Sequence, residues 1–170
     1  MLNELKHQPI FLVGFMGSGK THWGRQWAGY LHRKFIDLDQ LIESIEQLQV
    51  GQIFEKNGET WFREKEAITL RSVIDENNIL VACGGGTPCF HDNMDFMNET
   101  GFTIFLDAAP KFLLANIMRD SFERPLLKNM SEAEMLFFIE KKLVERNVFY
   151  SQAKLTMNAE ELNEESIKKL

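Results

Sequence analysis

The strongest motif in the chain is residues 14–21, which read Gly-Phe-Met-Gly-Ser-Gly-Lys-Thr. This stretch fits the pattern Gly-x-x-x-x-Gly-Lys-Ser/Thr of a phosphate-binding loop. An apolar run, Ile10–Val13, precedes it, and Trp23, Trp27 and Leu31 follow at a spacing that places them on one face of a helix. The sequence therefore predicts the order of strand, loop and helix in which such a loop binds phosphate.

The residue types in this loop suit a chain of phosphates. Glycines such as Gly17 and Gly19 let the backbone bend around a phosphate without a clash from Cβ, and backbone N–H groups, including that of Ser18, then face the anion. Lys20 adds a full positive charge near the β- and γ-phosphates, and the hydroxyl of Thr21 can bind Mg²⁺. We predict that these five residues bind ATP, but the loop alone does not separate an ATPase, a GTPase switch and a small-molecule kinase.

Apolar runs alternate with amphipathic stretches along the rest of the chain. Buried strands are predicted at Ile79–Ala82 and Phe102–Leu106, and weaker strands at Lys34–Ile36 and Ala153–Met157. Two further helical faces have spacings of three and four residues: Ala67, Leu70 and Ile74, and Leu136, Ile139 and Leu143. This alternation predicts a three-layer α/β fold with a mostly parallel sheet, in a single domain over residues 1–170.

Two polar segments carry predictions of their own. The stretch Asp120–Met130 is interrupted by Arg124-Pro125, and we predict a mobile lid at about residues 119–130. At the end of the chain, Glu161–Leu170 is predicted to form a short helix.

Two carboxylates end the second predicted strand, in the sequence Phe-Ile-Asp-Leu-Asp that closes with Asp37 and Asp39. Ligands sit at this edge of open α/β sheets, so one carboxylate would lie near Mg²⁺ and the other would face an acceptor substrate. Alternatively, Asp39 simply caps a helix over Gln40–Glu46. Because a phosphate loop lies one element upstream, we favour the functional interpretation.

Two arginines stand on apolar helical stripes. Arg63 begins the stripe that continues with Ala67, and Arg146 ends the stripe that contains Leu143. An arginine aimed inward must meet a carboxylate or an anionic ligand. Glu66 could serve as an internal partner for Arg63. Together, the two arginines indicate a small acidic acceptor held by guanidinium groups.

A run of three glycines, Gly84, Gly85 and Gly86, follows the third predicted strand. Consecutive glycines cost backbone entropy, which indicates a tight turn or a close approach to a ligand, although a simple connecting turn is the alternative. Phosphate-loop enzymes commonly carry a magnesium-binding Asp at the end of such a strand, and none stands here. We therefore assign the magnesium carboxylate to Asp37.

The amino-acid composition excludes some classes of binding partner. The chain has 170 residues and a net charge of −6, so it lacks the positive field that nonspecific binding to nucleic acid or to membrane surfaces needs. Cys83 and Cys89 are too few for a disulfide scaffold and form no zinc motif, which predicts reduced thiols in a cytoplasmic protein. No signal peptide and no membrane-spanning stretch are expected.

In order along the chain, these segments resemble shikimate kinase. The resemblance runs from Ile10 to about Tyr150 and rests on GFMGSGKT, FIDLD, IFEKNGETWFREKE, GGGT, ERPLL and ERNVFY. It implies ATP-dependent phosphorylation of the 3-hydroxyl of shikimate on the route to aromatic amino acids. It also implies a fold of the nucleoside-monophosphate-kinase type with a five-stranded parallel sheet. Separately, we expect a monomer, and the charge and the lack of a long apolar stretch predict no nucleic-acid or membrane partner.

The resemblance also assigns roles to individual positions. Lys20, Thr21 and Asp37 fall where the family handles phosphate and Mg²⁺, Arg124 matches the lid arginine that reaches the phosphates, and Arg119 matches one near the adenine. The positions that match shikimate contacts are Asp39, Arg63, Gly84, Gly85 and Arg146, and Gly86 completes the predicted substrate turn.

Some residues depart from the family pattern. His22 stands where a second Ser or Thr is usual, and Met157–Glu161 lacks the expected basic, proline-containing adenine loop. Adenine contacts there are predicted to come from the backbone, and Phe54 or Phe62 is predicted to wall the acceptor pocket. Alternative functions are a gluconate or nucleoside-monophosphate kinase of the same fold, or a nucleotide-dependent switch. The switch would need a guanine motif such as Asn-Lys-x-Asp, which is missing from the sequence.

Overall fold

Five parallel strands form a sheet at the centre of the protein, which the computed structural model describes at residues 8–74, 76, 78–119, 127 and 130–169. The strand order is β2-β3-β1-β4-β5. The α/β fold with a five-stranded parallel sheet is confirmed. The strands are β1 (Ile10–Val13), β2 (Lys34–Asp37), β3 (Ile79–Ala82), β4 (Phe102–Asp107) and β5 (Leu155–Asn158).

Helices connect the strands and cover both faces of the sheet. They are α1 (Lys20–Tyr30), α2 (Leu38–Glu46), α3 (Val50–Val73), α4 (Asn93–Thr100), α5 (Pro110–Arg119) and α6 (Glu132–Tyr150). Short 3₁₀ turns lie at Thr87–Cys89, Ala159–Glu161 and Ser166–Lys169. Among the residues described, no helix is both long and apolar enough to cross a lipid bilayer.

The side chains of β1 alternate between two cores, as a strand with helices on both faces requires. Phe11 and Val13 pack into the larger core, which also contains residues of α3, α4 and α6. Ile10 and Leu12 point the other way and pack with Trp27 of α1. The continuous apolar run in the sequence therefore reflects burial on both faces.

The strand register brings three loops to one edge of the sheet. Leu12 of β1 and Asp37 of β2 both pair with Ala82 of β3, so the carboxyl ends of these strands are level. The loops that follow them carry the phosphate motif, the two aspartates and the three glycines. This edge is where ligands bind in open parallel sheets.

Several predicted boundaries are corrected by the structure. Helix α2 begins at Leu38, and its cap is Asp37, whose Oδ1 accepts a hydrogen bond of 3.2 Å from the Gln40 N–H. The capping role considered for Asp39 therefore belongs to Asp37. The last strand is shifted to Leu155–Asn158 from the predicted Ala153–Met157.

The predicted helix at Glu161–Leu170 is wrong for its described part, which ends at Lys169 and contains 3₁₀ turns instead. Asn163 explains the interruption, because its N–H donates to Ser166 Oγ at 2.9 Å and its side-chain oxygen accepts from the Glu165 N–H at 3.0 Å. Such bonds between side chains and backbone compete with the hydrogen-bond ladder of a helix.

Candidate active site

The phosphate loop connects β1 to α1 and wraps around the ammonium group of Lys20. Lys20 Nζ donates hydrogen bonds of 2.8 Å to the carbonyl oxygens of Gly14 and Phe15. Gly17 and Gly19 have φ values of 82° and 89°, a region that favours glycine. A Cβ on Gly17 would also lie 2.9 Å from a backbone oxygen of α5, so the packing excludes larger residues there.

A threonine and an aspartate meet at the mouth of this loop. Thr21 Oγ1, in the first turn of α1, donates a hydrogen bond of 2.7 Å to Asp37 Oδ2 at the end of β2. Two hard oxygen ligands side by side suit Mg²⁺, which keeps several waters and phosphate oxygens in its shell. No group of three His, Cys, Asp or Glu that could hold a metal occurs in the described ranges, so these residues offer the Thr21–Asp37 pair and no closed protein cage.

Asp39 lies in the first turn of α2 and faces a buried glutamate across the glycine turn. A Cβ on Gly84 would lie 2.8 Å from Asp39 Oδ1 and 3.0 Å from Glu66 Oε1, so the absence of a side chain lets the two carboxylates approach. Burial, followed by the charges of Glu66 and Asp37, raises the pKa of Asp39 from 3.8 to about 7. A carboxyl group with this pKa can exchange a proton near neutral pH.

Arg63 lies on α3, five residues after a kink at Gly58 (φ 83°). Its Nη1 donates to Glu66 Oε2 at 2.9 Å, and its Nε and Nη2 donate to Glu59 Oε1 at 3.3 and 3.2 Å. The side chain is nearly buried, and the Phe90 ring centroid lies 4.6 Å from its Cζ. The internal ion pair considered for Arg63 is therefore present.

Arg63 has one more aromatic neighbour, Phe90, than the two pocket-wall residues predicted from the sequence. The predicted wall residues Phe54 and Phe62 place their ring centroids 5.7 and 5.4 Å from Arg63 Cζ, farther than Phe90 does. Three rings and two carboxylates thus hold the guanidinium group in one orientation.

The glycine turn also lies against both arginines. A Cβ on Gly86 would be 2.6 Å from Arg63 Nη2, and one on Gly85 would be 3.2 Å from Arg146 Nη1. Tyr150, one helical turn after Arg146 on α6, donates its hydroxyl to the Gly85 carbonyl at 2.5 Å. The glycine turn is therefore held by a hydrogen bond from α6, and it faces two guanidinium groups.

These parts surround a cleft of about 510 Å³. Its walls include ten of the predicted site residues: Gly17, Ser18, Gly19, Lys20, Thr21, Asp37, Asp39, Gly84, Gly85 and Arg119. Three more lie beside the cleft at the glycine turn, where Arg63 lies against Gly86 and Arg146 lies against Gly85. Arg124 and most of the predicted lid lie outside the described residues.

Comparison with known proteins identifies the family. The family model described as Shikimate kinase matches residues 16–170. The chain belongs to the shikimate kinase family. A shikimate kinase of Bacteroides thetaiotaomicron is 43% identical over 155 residues, which cover 91% of this chain and 89% of the relative. One of Phocaeicola vulgatus is 44% identical over 155 residues with the same coverage.

Solved structures of shikimate kinases share the fold. The crystal structure of the Bacteroides thetaiotaomicron enzyme gives a TM-score of 0.91 at 41% identity and covers 96% of this chain and 93% of that one. The enzyme of Acinetobacter baumannii, in complex with shikimate, gives 0.84 at 30% identity, with coverages of 99% and 94%. The predicted family and function are confirmed: the protein is an ATP-dependent kinase that acts on shikimate.

Three residues of this shikimate kinase site were not predicted from the sequence, or were predicted with only part of their contacts. Glu66 was considered only as a partner of Arg63, yet its Oε1 also accepts a hydrogen bond of 2.5 Å from Thr87 Oγ1 and lies near Asp39. Thr87 ended the motif GGGT, but no feature of the sequence assigned it a role. Tyr150 follows Arg146 by four residues, and this helical spacing could have placed both on one face.

Proposed function

We propose that ATP and shikimate bind at opposite ends of the cleft. The phosphate loop binds the triphosphate of ATP, and Asp39, Arg63, Arg146 and the glycine turn bind shikimate. The observation that carries this proposal is the position of Gly84, whose missing side chain leaves Asp39 and Glu66 beside the turn that both arginines face. A carboxylate acceptor suits two guanidinium groups, and a hydroxyl to be phosphorylated suits a carboxylate base.

The phosphate loop supports ATP with Lys20 and with its backbone dipoles. The hydroxyl of Ser18 is buried and has no hydrogen-bond partner among the described residues. Buried polar groups normally have a hydrogen-bond partner, so a phosphate oxygen or water at the loop would supply the hydrogen bond that this hydroxyl lacks. Lys20 Nζ, now bonded to two loop carbonyls, would turn its charge toward the β- and γ-phosphates.

In the reaction, Asp39 orients the 3-hydroxyl of shikimate and accepts its proton as the γ-phosphoryl group is transferred in line. Phosphoryl transfer has a loose transition state, so positioning and neutralisation of charge supply most of the catalysis. Lys20 stabilises charge on the transferring group, and we assign the same task to Arg124 in the lid. Closure of that lid would exclude water and suppress the hydrolysis of ATP.

Thr21 and Asp37 are the residues that we propose to hold Mg²⁺. Their oxygens lie 2.7 Å apart at the mouth of the phosphate loop, and this donor set fits a hard cation with few protein ligands. When bound, the ion neutralises charge on the β- and γ-phosphates. Arg119, at the end of α5, is assigned to the adenine side of the cleft.

The proposed roles are tested by an assay that couples release of ADP to a spectroscopic signal, with shikimate, gluconate and AMP as separate acceptors. We expect turnover with shikimate alone, and NMR of the product should show phosphate on the 3-hydroxyl. Asp39→Asn and Arg63→Ala should abolish this turnover, whereas Glu64→Gln, an exposed carboxylate on the same helix as Arg63, should retain it. Full activity of either site variant would refute the assignment.

The lid role has its own variant. Arg124→Lys keeps the charge but loses the bidentate geometry of the guanidinium group, so turnover should fall more than the affinity for ATP. An unchanged turnover number would refute the role of Arg124.

We also propose that the enzyme is a single-domain monomer in the cytoplasm. Cys83 and Cys89 are both free thiols, which is the state expected in a reducing compartment. Sedimentation at micromolar concentration would test the monomer.

A further inference from the structure

The strand order divides the cleft into two sides. The phosphate loop follows the central strand β1, the aspartates follow β2, and the glycine turn follows β3, which lies between them in the sheet. Helix α5 follows β4 and the turn at Ala159–Glu161 follows β5, so these elements border the cleft on the opposite side of the phosphate loop. If shikimate occupies the β2–β3 side, the nucleoside of ATP must occupy the β4–β5 side.

The wall on the β4–β5 side is mostly apolar and aromatic. It contains Phe112, Asn116 and Arg119 of α5 and Ala159 after β5. Trp23 of α1 also lines the cleft, and it packs in the same hydrophobic cluster as Phe112 and Ala159. The Asn116 amide already donates to the Gly17 carbonyl at 2.8 Å. Apart from the Arg119 guanidinium, this wall therefore offers flat, apolar surface to a base more readily than it offers side-chain hydrogen bonds.

Trp23 is held firmly beside this wall. Its Cδ1 lies 3.0 Å from the position that a Cβ on Gly19 would take, so the indole rests directly against the phosphate loop. It stacks on Trp27 with ring centroids 6.1 Å apart, and the edge of His22 meets it at 4.9 Å. A half-buried indole fixed by neighbours on α1 loses little entropy when a base stacks on it.

We propose that the Trp23 indole is the aromatic platform on which the base of the nucleotide stacks. This inference rests on the proposed binding of the triphosphate by the phosphate loop, because that loop fixes which side the nucleoside takes. Stacking needs only the flat face of a base, so Trp23 supplies affinity where the residues around Ala159 offer no basic side chain. Trp23 thus acts as a binding residue for the nucleoside and not for the acceptor.

The test compares Trp23→Leu, which keeps an apolar side chain without a π face, with Trp23→Phe, which keeps a ring. The matched control is Trp61→Leu, since Trp61 is also half-buried but lies on α3 outside the cleft walls. Each variant is measured for the KM of ATP, the KM of shikimate and inhibition by tripolyphosphate, which has phosphates but no base.

We expect Trp23→Leu to raise the KM of ATP about tenfold, the order of effect that base stacking on an aromatic ring has. Inhibition by tripolyphosphate and the KM of shikimate should stay within about twofold, and Trp23→Phe should recover most of the loss. Trp61→Leu should match the wild type. In that control, ADP should quench the remaining tryptophan fluorescence, whereas tripolyphosphate should not.

Two results would overturn the platform. One is an unchanged KM of ATP in Trp23→Leu, and the other is an equal loss for ATP and tripolyphosphate, which would mean that Trp23 acts only through the loop at Gly19. Either result can be obtained with an enzyme that still phosphorylates shikimate, so the proposed function would stand. Loss of acceptor-dependent ADP release in the wild type would instead refute the proposed function, while fluorescence quenching by ADP would still report on the platform.

Discussion

The fold disfavours the ionised form of the Asp39 carboxyl group. Burial, Glu66 and Asp37 raise its pKa from 3.8 to about 7, against the opposite influence of Lys20 and Arg63. The folded protein therefore keeps a proton on Asp39 at pH values where the unfolded chain has released it. The proposed role of Asp39 requires this cost, because a proton acceptor needs a pKa near the working pH.

The sign and the size of the effect on stability follow by linkage. A carboxyl group with a raised pKa stabilises the folded state fully below pH 3.8, and this contribution is lost as the pH rises to about 7. The difference is about three pH units, and at 1.36 kcal/mol for each it amounts to about 4 kcal/mol. The uncharged, nearly isosteric variant Asp39→Asn should avoid this loss.

Urea unfolding of the enzyme without nucleotide tests the argument. At pH 8.5 we expect Asp39→Asn to exceed the wild type in free energy of unfolding by up to about 4 kcal/mol, and at pH 5 by less than about 2 kcal/mol. The same variant should have no kinase activity. Glu64→Gln, the exposed control, should change stability by no more than about 0.5 kcal/mol. The reasoning is refuted if Asp39→Asn gains nothing at pH 8.5, or gains equally at both pH values.

Three further outcomes are expected. First, kcat/KM for shikimate should rise with pH through about 7, because the proposed role of Asp39 requires it to be ionised before it accepts a proton; a flat profile from pH 6 to 8 would contradict this. Second, Gly84→Ala should lower kcat about 100-fold, since its Cβ would lie 2.8 Å from Asp39 Oδ1, whereas Gly29→Ala, with no atom within 4 Å, should be silent in the same assay. Third, Tyr150→Phe removes the hydrogen bond to the Gly85 carbonyl and should raise the KM of shikimate about tenfold without changing that of ATP. Equal changes in both KM values would argue against a specific role for Tyr150 at the acceptor turn.

Local patterns in the sequence predicted much of the fold because burial on both faces leaves a clear trace. The runs at β1 and β3 were predicted with their observed bounds, Ile10–Val13 and Ile79–Ala82. The half-exposed strand β5 was predicted two residues early at its start, since its alternating burial gives a weaker signal. At the C-terminal end, Asn163 and Ser166 form bonds to the backbone that helical propensity does not anticipate.

At the candidate site, the sequence identified residue types and the structure supplied their partners. Asp37 and Asp39 were singled out together, but only the folded chain shows that Asp37 both caps α2 and meets Thr21. Nothing in the local pattern shows that Gly84 opens a gap for Glu66, because the two residues come from different elements.

The sequence by itself determined the phosphate loop, the α/β class and the family, because each depends on contiguous residues whose spacing is set by backbone geometry. The tertiary structure alone decided which charges meet across elements. The pKa of Asp39 depends on Glu66, 27 positions away in the printed sequence, and the orientation of Arg63 depends on Phe90 and Gly86. Electrostatic and packing interactions act over a few ångströms in space, and distance along the chain does not report that separation.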